Sequence, residues 1–394
     1  MKRTKWLIGA GALLAVAAVG IKVVGEPALV RFPLNVDQTL RYTGTATVYV
    51  NPTTGARLPT PLKTPLTVDR QIKVVSGDFS HAVVTETDKI AFAGQTQTTK
   101  YQYYMNRRTM QLVNGPKSYA FDNPASLMTT GGSYRINFPL DTKVGTYDAW
   151  APETNSVATA TSVGKSHHDP VSGDQVITFN TTLDHAVAPY YLDFLKSMGM
   201  PMSLSAASMA SQLQASGVSI SQVMADVGPH LTAAQMVTLT KALAQPVPLN
   251  YSYFQRGQIQ VQTSTGAVVG ANVSREGVAV TPVLSGTAPA VAILAPYANL
   301  PSVQALSRAV TSLSQTQTAL SMSYNETLPS IKSAVSTAND LGARADLVQW
   351  KLPIGIGAAA VVVLLIAAVW RPRPHPGATP TQVEFETKRG KEAA

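Results

Sequence analysis

The 394-residue chain contains no cysteine. That excludes a disulfide framework, thiolate catalysis and any cysteine-ligated metal. Charge is scarce as well: only 13% of residues are Asp, Glu, Lys or Arg, against about 25% in an ordinary globular domain. Ser, Thr, Asn and Gln must therefore supply most of the polar surface. The motifs of common enzyme classes are missing too. No P-loop occurs, no G-x-G-x-x-G follows a strand pattern, and no G-x-S-x-G elbow presents a serine. Histidines are few and scattered. The cluster His167-His168-Asp169 reads as a solvated turn, because adjacent side chains rarely converge on one ion. No catalytic residue, metal or cofactor is expected.

The formal net charge of +9 does not point to nucleic acid. The N-terminal tail gives +3 (Lys2, Arg3, Lys5) and the C-terminal tail +2 (Arg371, Arg373, Lys388, Arg389 and Lys391 against Glu384, Glu386 and Glu392), which leaves +4 spread over the rest. The long stretch between them has no basic run and no basic helix stripe, which a nucleic-acid surface needs.

Two uncharged apolar segments, residues 6–21 and 353–370, lie just inside those basic ends. Eighteen residues of helix span about 27 Å, close to the hydrocarbon core of a bilayer. Basic flanks favour the cytoplasmic side. The expected layout is a cytoplasmic tail (1–5), a transmembrane helix (6–25), an extracytoplasmic domain (26–350), a second transmembrane helix (353–370) and a disordered cytoplasmic tail (371–394). The first segment has a rival reading as a cleaved signal peptide, with Ala15, Ala17 and Ala18 as the small residues. Either way a large domain lies outside, and it is long enough to be held by its core alone.

Within that domain, residues 40–50, 66–75, 81–92, 100–113, 157–164 and 175–184 carry the β-branched and aromatic pattern of strands. The proline-rich stretch 51–65 reads as a turn-rich connection. Character changes at Pro189. Residues 189–246 are rich in Leu and Met at helical spacing, and Thr232 with Gln235 forms a capping-box pattern. This is a helical insertion in a β domain. It either packs its apolar face on the domain or offers a Met-rich apex to lipid or protein. Strands return at 249–254, 258–263, 267–274 and 278–284, with Gly257 and Glu276-Gly277 as turns. A short helix (302–313), a last strand (316–324) and a helix (327–349) complete the domain. The fold class is α+β: a mainly antiparallel ectodomain, sheet-like or barrel-like, with an inserted helical bundle.

Candidate site residues follow from this layout. Tyr134, Phe138, Tyr147 and Trp150 form an aromatic stretch that either fills a core or walls a hydrophobic site. Leu195, Met198, Met202, Met209, Leu213 and Met236 are the apolar candidates of the insertion. Arg107 and Arg108, beside Tyr101, Tyr103 and Tyr104, either pair internally or contact an anionic headgroup. Glu86 and Asp88 share one face of a strand, where a solvated face is the default.

The residues NFPLDTK at 137–143 with Tyr147 and Trp150, YMNRRTMQLVNG at 104–115, and the Thr-Gly element at 263–268 together resemble the actinobacterial envelope family labelled porin PorA. The likeness runs through nearly the whole stretch between the apolar segments. It departs at Arg107–Met110 and in the length of the helical insertion. The label implies a pore. A membrane barrel needs strands of about 9–11 residues with an apolar outer band. Many of the strands read from this sequence are short, and their outer faces read polar. In architecture alone the chain is similar to class B scavenger receptors, which have a helix at each end, a β ectodomain, an inserted helical bundle and a tunnel for lipid. The expected function is that of a non-enzymatic, membrane-anchored envelope protein that binds or transfers a lipid or other apolar component. The alternatives are an assembly partner of other envelope proteins and a porin-like channel. Expected partners are the membrane, a lipid ligand and envelope proteins, and not nucleic acid.

Overall fold

The computed structural model describes residues 10, 12–19, 31–51, 57–171 and 173–369. The two tails, residue 370 and much of the first apolar segment lie outside the described residues; residues 12–19 are helical. Residues 31–344 form one unit and the terminal residues on either side of it another.

Strands β1 (Asp37–Val50), β2 (Arg57–Gly77), β3 (His81–Phe92), β4 (Gln95–Asn106) and β5 (Tyr119–Ala120) build a meander. Then come β6 (Thr146–Ala151), β7 (Ser156–Ser162), β8 (His167–His168) and β9 (Gln175–Ala186). Helix α1 (Pro189–Ser197), the two-residue strand β10 (Ser203–Leu204), and helices α2 (Ala206–Ala215), α3 (Ile220–Val227) and α4 (Ala233–Ala244) form the insertion. The chain returns through β11 (Val247–Gln262) and β12 (Val268–Pro282), helices α5 (Ala288–Leu294) and α6 (Pro301–Leu313), β13 (Gln317–Glu326) and α7 (Leu328–Asp346). One π-helical turn, Leu347–Lys351, then leads to α8 (Leu352–Val369).

The sheet order is β5-β4-β3-β2-β1-β13-β12-β11-β9-β7-β6, and every pairing in it is antiparallel. The first strand pairs with the last, Tyr42 to Val48 against Glu326 to Leu320. The sheet curls, and an irregular segment between β4 and β6 joins its two edges. Val113 N–H donates to Tyr104 O at 2.7 Å, Leu112 N–H to Ser133 O at 2.8 Å, Tyr134 N–H to Asp148 O at 2.8 Å, and Trp150 N–H to Tyr134 O at 2.7 Å. Backbone hydrogen bonds thus run round a complete circuit. The joint is local: β5 pairs only with Tyr101 and Gln102 of β4, and Tyr134 meets β6 at a single parallel bridge to Ala149, so the edges are covered over part of their length.

Several expectations change. The proline-rich connection is strand: β2 begins at Arg57, and Val48 pairs with Leu62. Pro59, Pro61 and Pro65 are tolerated there because β3 pairs with β2 only from Leu66 onward, which leaves the proline side without a partner strand. Gly257 and Gly277 are not turns. They lie inside β11 and β12, at 16 and 15 residues the longest strands after β2. A Cβ on Gly257 would lie 2.7 Å from Asn272 O, and one on Gly277 2.0 Å from Leu320 O. The glycines let neighbouring backbones approach where the register shifts. The strands are accordingly longer than the sequence pattern implies. Their outer faces do read polar: Asn180, Asp184, Arg256 and Gln258 are exposed.

Helices α1 to α4 lie between residues 189 and 244, and Thr232 and Gln235 close their capping box. Helix α5 adds an element that the sequence pattern did not suggest. Helix α8 is apolar, but its described side chains end at residue 366. Among the described residues no helix is long and apolar enough to cross a membrane.

Candidate functional site

Two interiors distinguish this molecule, one inside the curled sheet and one in the helical layer. Inside the sheet, alternation turns Ala82, Val84, Glu86 and Asp88 of β3 inward, and all four are buried. Glu86 is only 1% exposed, so the solvated face expected for this carboxylate pair is in fact the core face. Burial is sustained by matched cations. Arg135 Nε and NH2 donate to Glu86 at 2.9 and 2.6 Å. Arg70 grips Asp88 through two bonds of 2.9 Å and approaches Glu86 at 3.1 Å. Tyr103 OH adds a bond to Glu86 at 3.0 Å.

Burial alone would raise the Glu86 carboxyl. The charges of Arg135 and Arg70 outweigh it and hold the group at about 2. Asp88 is pushed up by burial and by the negative charge of Glu86, against the pull of Arg70. Glu276 accepts from Tyr253 OH at 2.6 Å and from Tyr324 OH. Glu153, in the turn after β6, has no such cationic clasp. Burial lifts it to about 7, Arg135 opposes, and Glu276 adds to the rise.

The aromatic candidates do come together. Tyr134 stacks on Phe138 at 5.7 Å, and Tyr147 sits edge-on to Phe138 at 5.4 Å. Phe179 of β9 completes the cluster, 5.4 Å from Phe138. Sequence reading missed Phe179 because nothing local distinguishes it from any inward strand residue. Tyr134, Phe138 and Trp150 line a cavity of about 110 Å³ together with Arg70, Glu86 and Arg135. That volume has room for only a few waters. Trp150 is 2% exposed, and its indole N–H has no hydrogen-bond partner. Chemically, this interior can hold a few polar atoms; ion pairs and aromatic rings fill the rest.

Arg107 donates to Phe32 O at 2.8 Å and to Asp78 O at 2.6 Å, which ties the start of the domain to the β2–β3 turn. Arg108 is exposed.

The second interior lies among α2, α4, α5 and α6. It is a cavity of about 730 Å³, within the roughly 300–1,000 Å³ range of small-molecule sites. Aliphatic side chains make most of its wall, including Leu213, Leu243, Ala290, Leu294, Val303 and Leu306. Of the insertion candidates, Met209 and Leu213 line it. Leu195, Met198 and Met202 pack instead on the sheet with Tyr251 and Tyr253. Met236 is half-buried on α4, its methyl end near Gly228. Half of the wall comes from α5 and α6, outside the insertion, so the insertion's composition alone could not reveal the cavity. Val291 is 59% exposed yet lines it, which places an apolar side chain at the opening.

A curled antiparallel sheet with a salt-bridged interior, carrying a helical layer with an apolar cavity, defines an α+β protein of curled-sheet type. The chain belongs to the Porin PorA family, whose model matches residues 5–369. Among curated proteins none matches it.

Proposed function

We propose that this is a non-enzymatic envelope protein, anchored by two apolar helices, whose helical layer binds the chain of a lipid or comparable apolar component. The observation that carries the reading is the 730 Å³ aliphatic cavity with an apolar side chain at its opening. Each CH₂ transferred from water into such a space is worth about 0.8 kcal/mol, so a chain of ten buried carbons has ample driving force. The family's envelope association and the two uncharged apolar segments support a membrane setting. Val291→Trp tests the reading. The side chain is exposed, so stability should change by less than about 0.5 kcal/mol. Lipid recovered with the purified protein, measured by mass spectrometry, should fall severalfold. Unchanged lipid recovery in a folded variant would sink the proposal.

A porin-like channel is the second reading, favoured by the family label and the curled sheet. Conduction through that sheet would need the Arg70, Glu86, Asp88 and Arg135 cluster to part, because it leaves only about 110 Å³ open. Purified protein in a planar bilayer should show no stepwise conductance. Reproducible steps that vanish when the cluster is altered would favour the channel.

A further inference from the structure

The polar lining of the helical cavity is concentrated on α6, with Gln245 the one polar side chain on the described wall outside it. Gln304, Ser307, Arg308 and Thr311 of α6 all line it, and their spacing of three, four and seven residues places them on one helix face. Arg308 is the one charged residue among the described lining residues, and no carboxylate lines the cavity. Its Nε donates a long hydrogen bond, 3.4 Å, to the carbonyl of Gln304 one turn earlier. Among the described residues no acidic side chain lies within ion-pair reach of it. A guanidinium offers five donors and accepts nothing. Among the described residues its one hydrogen-bond partner is its own helix. Beside it, the Gln304 amide and the Ser307 hydroxyl, both on exposed residues, can donate as well.

We propose that the occupant is an amphiphile with one anionic headgroup, a carboxylate or phosphate monoester. Its apolar chain lies against Leu213, Leu243 and Leu294, and its head is held by Arg308 with Gln304 and Ser307. This rests on the reading of the cavity as a ligand site and adds the class of headgroup it selects. Charge complementarity decides the class. A neutral head would leave Arg308 without a counter-charge at the edge of an apolar space, whereas an anion gains charge-assisted and bidentate hydrogen bonds there.

The test uses the full chain in nanodiscs of zwitterionic lipid, with empty discs subtracted. Dodecanoate and 1-dodecanol are titrated by calorimetry. Wild type should bind dodecanoate about tenfold tighter than dodecanol, the scale of one hydrogen-bonded charge. Arg308→Gln should bring dodecanoate down to the level of the alcohol and leave dodecanol unchanged. Arg308→Lys, which keeps the charge, should keep most of the preference and guards against a folding artefact in the first variant. Val291→Trp should weaken both ligands. If both ligands bind and Arg308→Gln leaves the dodecanoate preference intact, the headgroup assignment is overturned while the cavity reading stands. If neither ligand binds wild type, or Val291→Trp changes nothing, the cavity reading itself fails and the assignment falls with it.

Discussion

Glu153→Gln should make the protein more stable at pH 8 and leave it unchanged at pH 4. The carboxyl is buried in the turn after β6, and its titration is lifted to about 7 from an ordinary value of 4.5. Below 4.5 the group is protonated in both folded and unfolded chains and contributes nothing. Between 4.5 and 7 the unfolded chain releases its proton while the folded one keeps it, so stability falls as pH rises. Above 7 the cost levels off. A gap of about 2.5 pH units at 1.36 kcal/mol each comes to about 3 kcal/mol. Glutamine keeps the shape and never ionises, so it removes that cost. Urea unfolding followed by circular dichroism at pH 4, 6 and 8 measures the difference. The gain should be near zero at pH 4, intermediate at pH 6 and about 3 kcal/mol at pH 8. A pH-independent gain, or a loss at pH 8, would refute the argument that Glu153 is buried without adequate compensation.

Glu86→Gln should do the opposite and cost about 3–5 kcal/mol at pH 7, because it strands the Arg135 guanidinium in the sheet interior. The Glu86 carboxyl is held at about 2, so its contribution is complete above 4.5 and is lost as pH falls through 2. Urea midpoints of wild type and variant should therefore converge near pH 2, and a constant gap down to that pH would count against the pairing. For topology, the absence of native cysteine makes single-cysteine labelling unambiguous. A cysteine at Asn180, an exposed strand position, should react with an impermeant maleimide in intact cells and one at Thr381 should not. The reverse pattern would overturn the double-anchored layout.

Much of the fold was legible because strands announce themselves by alternation, and helix starts by side-chain chemistry. Residues 81–92 and the Thr232 capping box were readable for that reason. Residues 57–65 misled because proline normally breaks sheets; only the missing partner strand makes it tolerable there. Gly257 misled because a glycine that admits a neighbouring backbone looks the same in sequence as one that makes a turn. The buried ion pairs were not readable at all. Glu86 meets its cations at Arg70 and Arg135, one on the neighbouring strand and one on the closing segment, and charge on a strand defaults to solvent. The aromatic cluster was legible as composition, and its assembly needed Phe179 from a distant strand. The helical cavity needed α5 and α6, which enter the chain after β12, so the Met-rich insertion drew attention to only about a quarter of its described wall.

The pairing of β1 with β13 has a consequence for biogenesis. Tyr42 to Val48 must wait for residues 320–326, so nearly the whole domain has to be synthesised before the opening strand gains its second neighbour. During that interval β1 presents a bare backbone edge, and contacts of such long sequence separation form slowly. An unpaired edge on a slowly folding chain is where misassembly begins. This architecture therefore places its kinetic hazard at the first strand, and a holding chaperone would act most usefully on residues 37–50.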